Sequence, residues 1–265
     1  MSRALPPLDL HAHVATNIAP RALEGLGAVV FAVTRSLDEY EEVSRRTDTV
    51  TVWGVGCHPG VVSAQENYDD DRFAAALAKT PFVGEVGLDG ASRSPIDRQV
   101  QTFSLVLTAV AKTPRILSVH SYRATERVLD LIEQAGVEGA ILHWWLGSAA
   151  ETKRALDLGC LFSINQSMQP DVLRRAGVPL TALLPETDHP SGNRRGEAPR
   201  QPGYTVEVER AVASAYGVTT TEVRDQFWVT LAELADSTAV TSLLPPAVQA
   251  MVSHARHLGH SLGRR

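Results

Sequence analysis

Eight short apolar runs separated by stretches of helical period constrain this chain more than any other feature. The runs are Leu8–His13, Ala28–Thr34, Thr49–Cys57, Phe82–Leu88, Ile116–Ser121, Ala140–Trp144, Leu161–Asn165 and Ala182–Thr187. They are near-continuous rather than alternating, as in parallel strands covered by helices on their outer face. Helical patterns occupy Asp38–Arg46, Asp70–Lys79, Pro95–Lys112, Thr125–Ala135, Ala149–Leu158 and Pro170–Ala176. Gly136, Gly159 and Gly177 stand just past three of these helix ends, where a left-handed cap needs no Cβ. Eight strand–helix units in roughly 200 residues favour a (β/α)8 TIM barrel over an open doubly wound sheet. The whole of 1–265 then forms one α/β domain, with helices at Thr205–Tyr216, Thr221–Ala235 and Pro246–Leu258. About 219–258 reads as a helical C-terminal extension, and Gly259–Arg265 is expected to be loose.

Polar residues collect at the C-terminal ends of these strands, where catalytic groups of barrels are found. Asp9, His11 and His13 alternate along the first strand, so a period of two points them to one side. Inward histidines and a carboxylate in a core of branched apolar residues are costly unless something binds them. Glu85 interrupts the apolar fourth strand between two glycines. His120 and His143 end strands five and six, and Glu186-Thr187-Asp188 ends strand eight. Of that last group Asp188 is the expected ligand, with Glu186 supporting it or ion-paired. His58, in a turn after strand three, reads equally as a contact to site or substrate and as plain structure.

These nitrogen and oxygen donors, without thiolate, suit Zn, Mn or Mg rather than an iron–sulfur cluster. His11, His13, Glu85, His120, His143 and Asp188 are too many ligands for one open site. They suit two divalent ions about 3.5–4 Å apart, bridged by a carboxylate, for which Glu85 is best placed. Asp9 is then expected to orient a histidine rather than bind metal.

The charge balance is −5, so no global basic field draws nucleic acid to the surface, and a polyanionic substrate needs a local basic lip. The two cysteines, Cys57 and Cys160, lie in apolar runs and read as buried thiols of a reducing compartment. No apolar stretch has the length of a signal peptide core or a membrane span, so a cytoplasmic protein without a membrane partner is expected.

The ordered set D-L-H-A-H at 9–13, G-C-H-P at 56–59, G-E-V-G-L-D at 84–89, V-H-S at 119–121, L-H at 142–143 and E-T-D at 186–188 resembles the TatD family of metal-dependent deoxyribonucleases. That family belongs to the amidohydrolase superfamily. The segments at 84–90, 118–125, 141–148 and 162–165 look like QatD, the TatD-like component of the Qat anti-phage defence system. The resemblance implies that His11, His13, Glu85 and Asp188 hold one ion and that Glu85, His120 and His143 hold the other. It further implies that Asp188 and Glu85 are the catalytic carboxylates, Asp188 orienting or deprotonating a water that attacks a DNA phosphodiester. Other Qat-type proteins are implied as partners.

Three departures concern substrate binding. Tyr122 precedes Arg123 where the family often has arginine directly after the strand-five His-Ser pair, and Trp144-Trp145 replaces a common cysteine–phenylalanine pair. Gln226-Phe227-Trp228 occupies the region of a Thr-x-x-Asn-like motif. Arg194, Arg195 and Arg200, on the Pro/Gly-rich loop after strand eight, are candidates to clamp phosphates or to be solvated. Trp144 and Trp145 read foremost as packed in the core; otherwise one is a candidate to stack on a base and the other to face the helix layer. Hydrolysis of lactones, amides or phosphotriesters is an alternative; many such barrels place a carboxylated lysine where strand four here has Glu85. A metal-bearing, non-catalytic subunit of a defence complex is another.

Overall fold

A computed structural model describes residues 4–192 and 201–262, with side chains through residue 259. Eight strands are present: β1 (Leu8–His13), β2 (Val29–Val33), β3 (Thr51–Trp53), β4 (Phe82–Gly87), β5 (Ile116–His120), β6 (Ala140–Leu142), β7 (Leu161–Ile164) and β8 (Leu183–Pro185). All pair in parallel, in the order β1-β2-β3 and β4-β5-β6-β7-β8. Single bridges between Val55 and Val83 and between Ala12 and His189 join the two groups into a ring. This is the (β/α)8 architecture expected from the apolar runs.

Helices between the strands cover the ring: α1 (Pro20–Glu24), α2 (Leu37–Val43), α3 (Val62–Glu66), α4 (Asp70–Leu77), α5 (Ile96–Lys112), α6 (Thr125–Ala135), α7 (Ala149–Asp157) and α8 (Pro170–Arg175). The stripe Phe103, Val106, Leu107 and Val110 repeats at helical spacing and is buried as α5 packs on β4. Ser148 and Glu151 form a reciprocal cap at the start of α7. Three further helices follow: α9 (Val206–Tyr216), α10 (Thr220–Ser237) and α11 (Pro246–Leu262). Trp228 of α10 is fully buried and donates to Pro6 O at 2.7 Å, fastening the entry to β1. α10 packs against β1 and β8, thereby completing the helical layer, and α11 covers α10.

Several boundaries differ from the sequence reading. The chain at 259–262 continues α11 instead of being loose, and the short helices α1 and α3 were not anticipated. Strand three was expected to run to Cys57, yet β3 ends at Trp53. Beyond it the end of β2 bonds directly to β4: Thr34 N–H donates to Gly84 O at 2.9 Å, and Glu85 N–H donates to Thr34 O at 3.0 Å. The Thr34 hydroxyl also takes up the Gly56 N–H at 3.0 Å. The segment after β3 still bonds to β4 through Val55 and Cys57, but at Gly56 the backbones of β2 and β4 meet directly beside Glu85. A Cβ on Gly56 would lie 1.9 Å from Thr34 O, so only glycine fits there.

Candidate metal centre

The C-terminal mouth of the barrel brings His11, His13, His58, Glu85, His120, His143 and Asp188 together. Glu85 is at the centre. Its Oε2 lies 3.2 Å from His13 Nε2, 3.2 Å from His58 Nε2 and 3.5 Å from His11 Nε2. Its Oε1 lies 2.5 Å from His120 Nδ1 and 3.8 Å from His143 Nε2. Asp188 Oδ1 lies 3.6 Å from His11 Nε2 and 3.9 Å from His13 Nε2. Burial works against ionisation of Glu85, but His58, His120 and His11 outweigh it and hold the carboxyl well below the usual range. Burial pushes Asp188 up to about 7, with His143 opposing.

Supporting groups set the direction of each ring. His143 Nδ1 donates to Glu186 Oε2 at 2.9 Å, because a carboxylate only accepts; in the neutral ring the lone pair of Nε2 therefore faces Glu85. Burial disfavours the charged His143, but Glu186 prevails and raises it to about 10. Glu186 also accepts from Ser163 Oγ and from Asn165 Nδ2. His11 Nδ1 meets Ser118 Oγ at 2.7 Å, and its ring stacks on His143 with centroids 3.7 Å apart. Burial, then His143, lower His11 to about 3. His58 is different: its Nδ1 accepts the Gly60 N–H at 2.8 Å, so the neutral ring carries its proton on Nε2 and aims it at Glu85. The Nε2 of that tautomer presents a proton to the cluster rather than a lone pair.

Four buried polar atoms of this cluster have no hydrogen-bond partner: His11 Nε2, His13 Nδ1, Glu85 Oε2 and His120 Nε2. Three groups of side chains place their donor atoms within 4.8 Å of one another: His11–His143–Asp188, His11–His13–Glu85 and His58–Glu85–His120. Buried polar atoms without partners, in a cluster whose imidazoles converge on one carboxylate, fit divalent cations. The tautomer of His58 sets it apart from that ligand set.

Asp9 is placed otherwise than its strand period suggested. Its carboxylate accepts from Thr187 N–H at 2.8 Å, Thr187 Oγ1 at 2.6 Å and Gly203 N–H at 2.7 Å. It touches His11 only through the backbone N–H, at 3.4 Å, so it anchors the segment bearing Asp188 rather than orienting an imidazole. Burial lifts Asp9 to about 6, against these hydrogen bonds. Asp188 itself has φ 44, a left-handed position that aspartate tolerates better than most residues.

A cavity of about 270 Å³ opens above the cluster, lined by His13, His58, His120, Asp188, Tyr122 and Trp144 among others. Trp145 is buried and donates to Thr152 Oγ1 at 2.8 Å, so of the tandem tryptophans only Trp144 reaches the cavity. Arg123 is not among the residues lining it; its guanidinium lies 5.3 Å from the Tyr122 ring centre. Gln226–Trp228 lies at the opposite end, near Pro6. Arg194, Arg195 and Arg200 lie outside the described residues. Residues that the sequence reading did not single out are Ser118, Ser163 and Asn165, which hold His11 and Glu186, and Asp89, 3.7 Å from His120 Nε2. Their signal was a polar residue at alternate positions of apolar runs, such as Ser163 and Asn165.

Fold and site together define a (β/α)8 barrel with a histidine–carboxylate metal cluster at its mouth, the architecture of metal-dependent hydrolases. Residues 8–235 match the model of the TatD related DNase family, and the chain belongs to that family. The 3'-5' ssDNA/RNA exonuclease TatD of Klebsiella pneumoniae is 32% identical over 162 residues, covering 53% of this chain and 60% of that protein. The human Deoxyribonuclease TATDN3 is 26% identical over 172 residues, covering 60% of this chain and 58% of that protein. Each match thus spans less than two thirds of the curated relative. The crystal structure of the TatD homologue YJJV from Escherichia coli superposes with a TM-score of 0.73 at 19% identity, covering 86% of this chain and 96% of that one. That likeness concerns the fold. No described helix is long and apolar enough to cross a membrane.

Proposed function

We propose that this chain hydrolyses phosphodiester bonds of DNA at two divalent ions, one held by His11, His13, Glu85 and Asp188, the other by Glu85, His120 and His143. The observation that carries this reading is the convergence of His11, His13, His120 and His143 nitrogens on the buried Glu85 carboxylate, in a cluster with four polar atoms left without hydrogen-bond partners, beneath an open cavity. Family membership supports phosphodiesters as the substrate class. Bound divalent ions supply Lewis-acid charge and a water of lowered pKa. With the ions bound, Asp188 Oδ1, beside the His11 and His13 Nε2 atoms, would orient an attacking water and accept its proton. Glu186 keeps the proton of His143 on Nδ1 and so keeps Nε2 available for an ion. His58 Nε2, 3.2 Å from Glu85 Oε2, sets a positive N–H edge beside the central carboxylate. The described residues contain no lysine in the cluster, which disfavours the carboxylated-lysine chemistry of other amidohydrolase barrels.

The reading extends to a cytoplasmic QatD-like role in anti-phage defence with Qat-type partners, supported by the four sequence segments that resemble that branch. Labelled single- and double-stranded DNA incubated with Mg, Mn or Zn tests the chemistry, with Glu85→Ala as control. Metal-dependent cleavage lost in the variant is expected; no cleavage of any polynucleotide overturns it. Plating phage on cells carrying the complete system tests the setting. Protection that survives Asp188→Ala with the site's metal lost would show that the biological role does not depend on catalysis.

A further inference from the structure

Three apolar side chains stand at the rim of the metal cavity without being part of the core. Tyr122, on the loop after β5, is 42% exposed, and Leu146, on the loop after β6, is 62% exposed. Trp144 lies between them on the same wall, its ring edge-on to His143 with centroids 6.4 Å apart. Single exposed apolar residues are ordinary on a protein surface, whereas three lining one cavity beside a reactive cluster are not. No lysine or arginine side chain among the described residues lines that cavity. The grip on a substrate from this wall is therefore by contact with flat, weakly polar surface.

The wall is also fixed in place. Trp144 has φ 42, which reverses the chain directly after His143. Trp145 is anchored through its hydrogen bond to Thr152, and its ring packs so close to Gly147 that a Cβ there would lie 2.1 Å from it. The loop that carries Trp144 and Leu146 is thus held from beneath by Trp145. The Arg123 guanidinium lies over the Tyr122 ring, 5.3 Å from its centre, and steadies a ring that stays partly exposed.

From this geometry, and resting on the nucleic-acid reading above, we infer that Tyr122, Trp144 and Leu146 form a subsite for one unpaired nucleobase next to the scissile phosphate. A base within a duplex has its faces covered by its neighbours, so the subsite selects single-stranded or frayed ends. Stacking on it is tolerant of base identity, because every base offers a flat face. These residues determine specificity, and the reacting atoms belong to the metal cluster below.

The test compares a thymidine pentamer with pentamers lacking the base at one end or the other. With the wild-type protein and Mn, removal of the base beside the cleaved bond is expected to lower kcat/KM on the order of tenfold, mainly through KM. Tyr122→Ala combined with Leu146→Ser changes only exposed side chains, and Trp144→Ala removes the third. In both variants the intact and abasic pentamers are expected to react alike, with the metal content of the wild type. An abasic penalty that persists unchanged in both variants overturns the subsite. If the wild type cleaves neither pentamer, the nucleic-acid hydrolase reading fails instead, and binding of the same pentamers measured at equilibrium decides the subsite. Equal affinity of the wild type for intact and abasic pentamers then overturns it.

Discussion

Gly56→Ala is the sharpest single perturbation that the fold offers. The added methyl group would lie 1.9 Å from Thr34 O, 2.6 Å from Glu85 N and 2.7 Å from Gly84 O, all of them backbone atoms that no rotamer change moves. Relief to a tolerable contact with Thr34 O requires the strand ends to separate by about 1 Å. Two hydrogen bonds cross that gap, Thr34 N–H to Gly84 O at 2.9 Å and Glu85 N–H to Thr34 O at 3.0 Å, and such a displacement takes both out of range. A hydrogen bond contributes about 0.5–1.5 kcal/mol net, so loss of these two buried ones is expected to cost up to roughly 3 kcal/mol. At about 2–4 °C per kcal/mol for a chain of this size, Tm falls by up to roughly 6–12 °C. Because Glu85 moves with the strand, affinity for divalent ions falls as well. Thermal unfolding with and without Zn, alongside a metal titration, reads both effects. A Tm within 2 °C of wild type together with unchanged metal affinity would refute the claim that Gly56 positions Glu85.

Other expectations concern the site and its frame. Metal-free protein should take up two equivalents of divalent ion by calorimetry, His58→Ala should retain both, and Glu85→Ala should retain at most one. Loss of an ion in His58→Ala would show that His58 Nε2 is a ligand after all. Burial pushes Cys57 and Cys160 up to about 12, so Ellman's reagent should find no reactive thiol in the native protein and two after denaturation. At Asp48 burial opposes the charge, but hydrogen bonds from Arg46 and Trp53 hold the carboxyl below its ordinary value. A depressed folded-state pKa adds stability that is complete above the unfolded value, about 3.9, and is lost as pH falls through the folded one. Urea midpoints of Asp48→Asn should therefore lie below those of wild type at neutral pH and converge with them in acid; a constant gap down to acid pH would rule the linkage out.

Residues whose roles follow from a local period were readable from the sequence. His11 and His13 alternate on β1, and Glu85, His120 and His143 sit at or near ends of strands whose apolar character was plain. Residues whose roles depend on closing the ring were not. Asp9 shares the period of His11 and His13, yet its carboxylate turns to Thr187 and Gly203, nearly two hundred positions away, because β1 meets the end of β8 there. The shortening of β3 is of the same kind. An apolar run continued to Cys57, and Val55 and Cys57 do bond to β4, but at Gly56 the Thr34 backbone reaches Gly84 and Glu85 directly once the barrel closes. Local propensity cannot register a competition between strands that are far apart in the chain.

The tandem tryptophans show what such competition does to function. By composition Trp144 and Trp145 are interchangeable, and either is a plausible core residue. The positive φ at Trp144 and the hydrogen bond from Trp145 to Thr152 separate them, sending one ring to the cavity and the other beneath the loop. Burial of Trp145 supplies the packing that holds an exposed Trp144 in a strained backbone position, where it would otherwise relax. The pair therefore acts as anchor and contact. It follows that Trp145→Phe, which keeps the bulk but removes the hydrogen bond to Thr152, should loosen the position of Trp144 and weaken discrimination against the abasic pentamer while leaving the metal ligands in place.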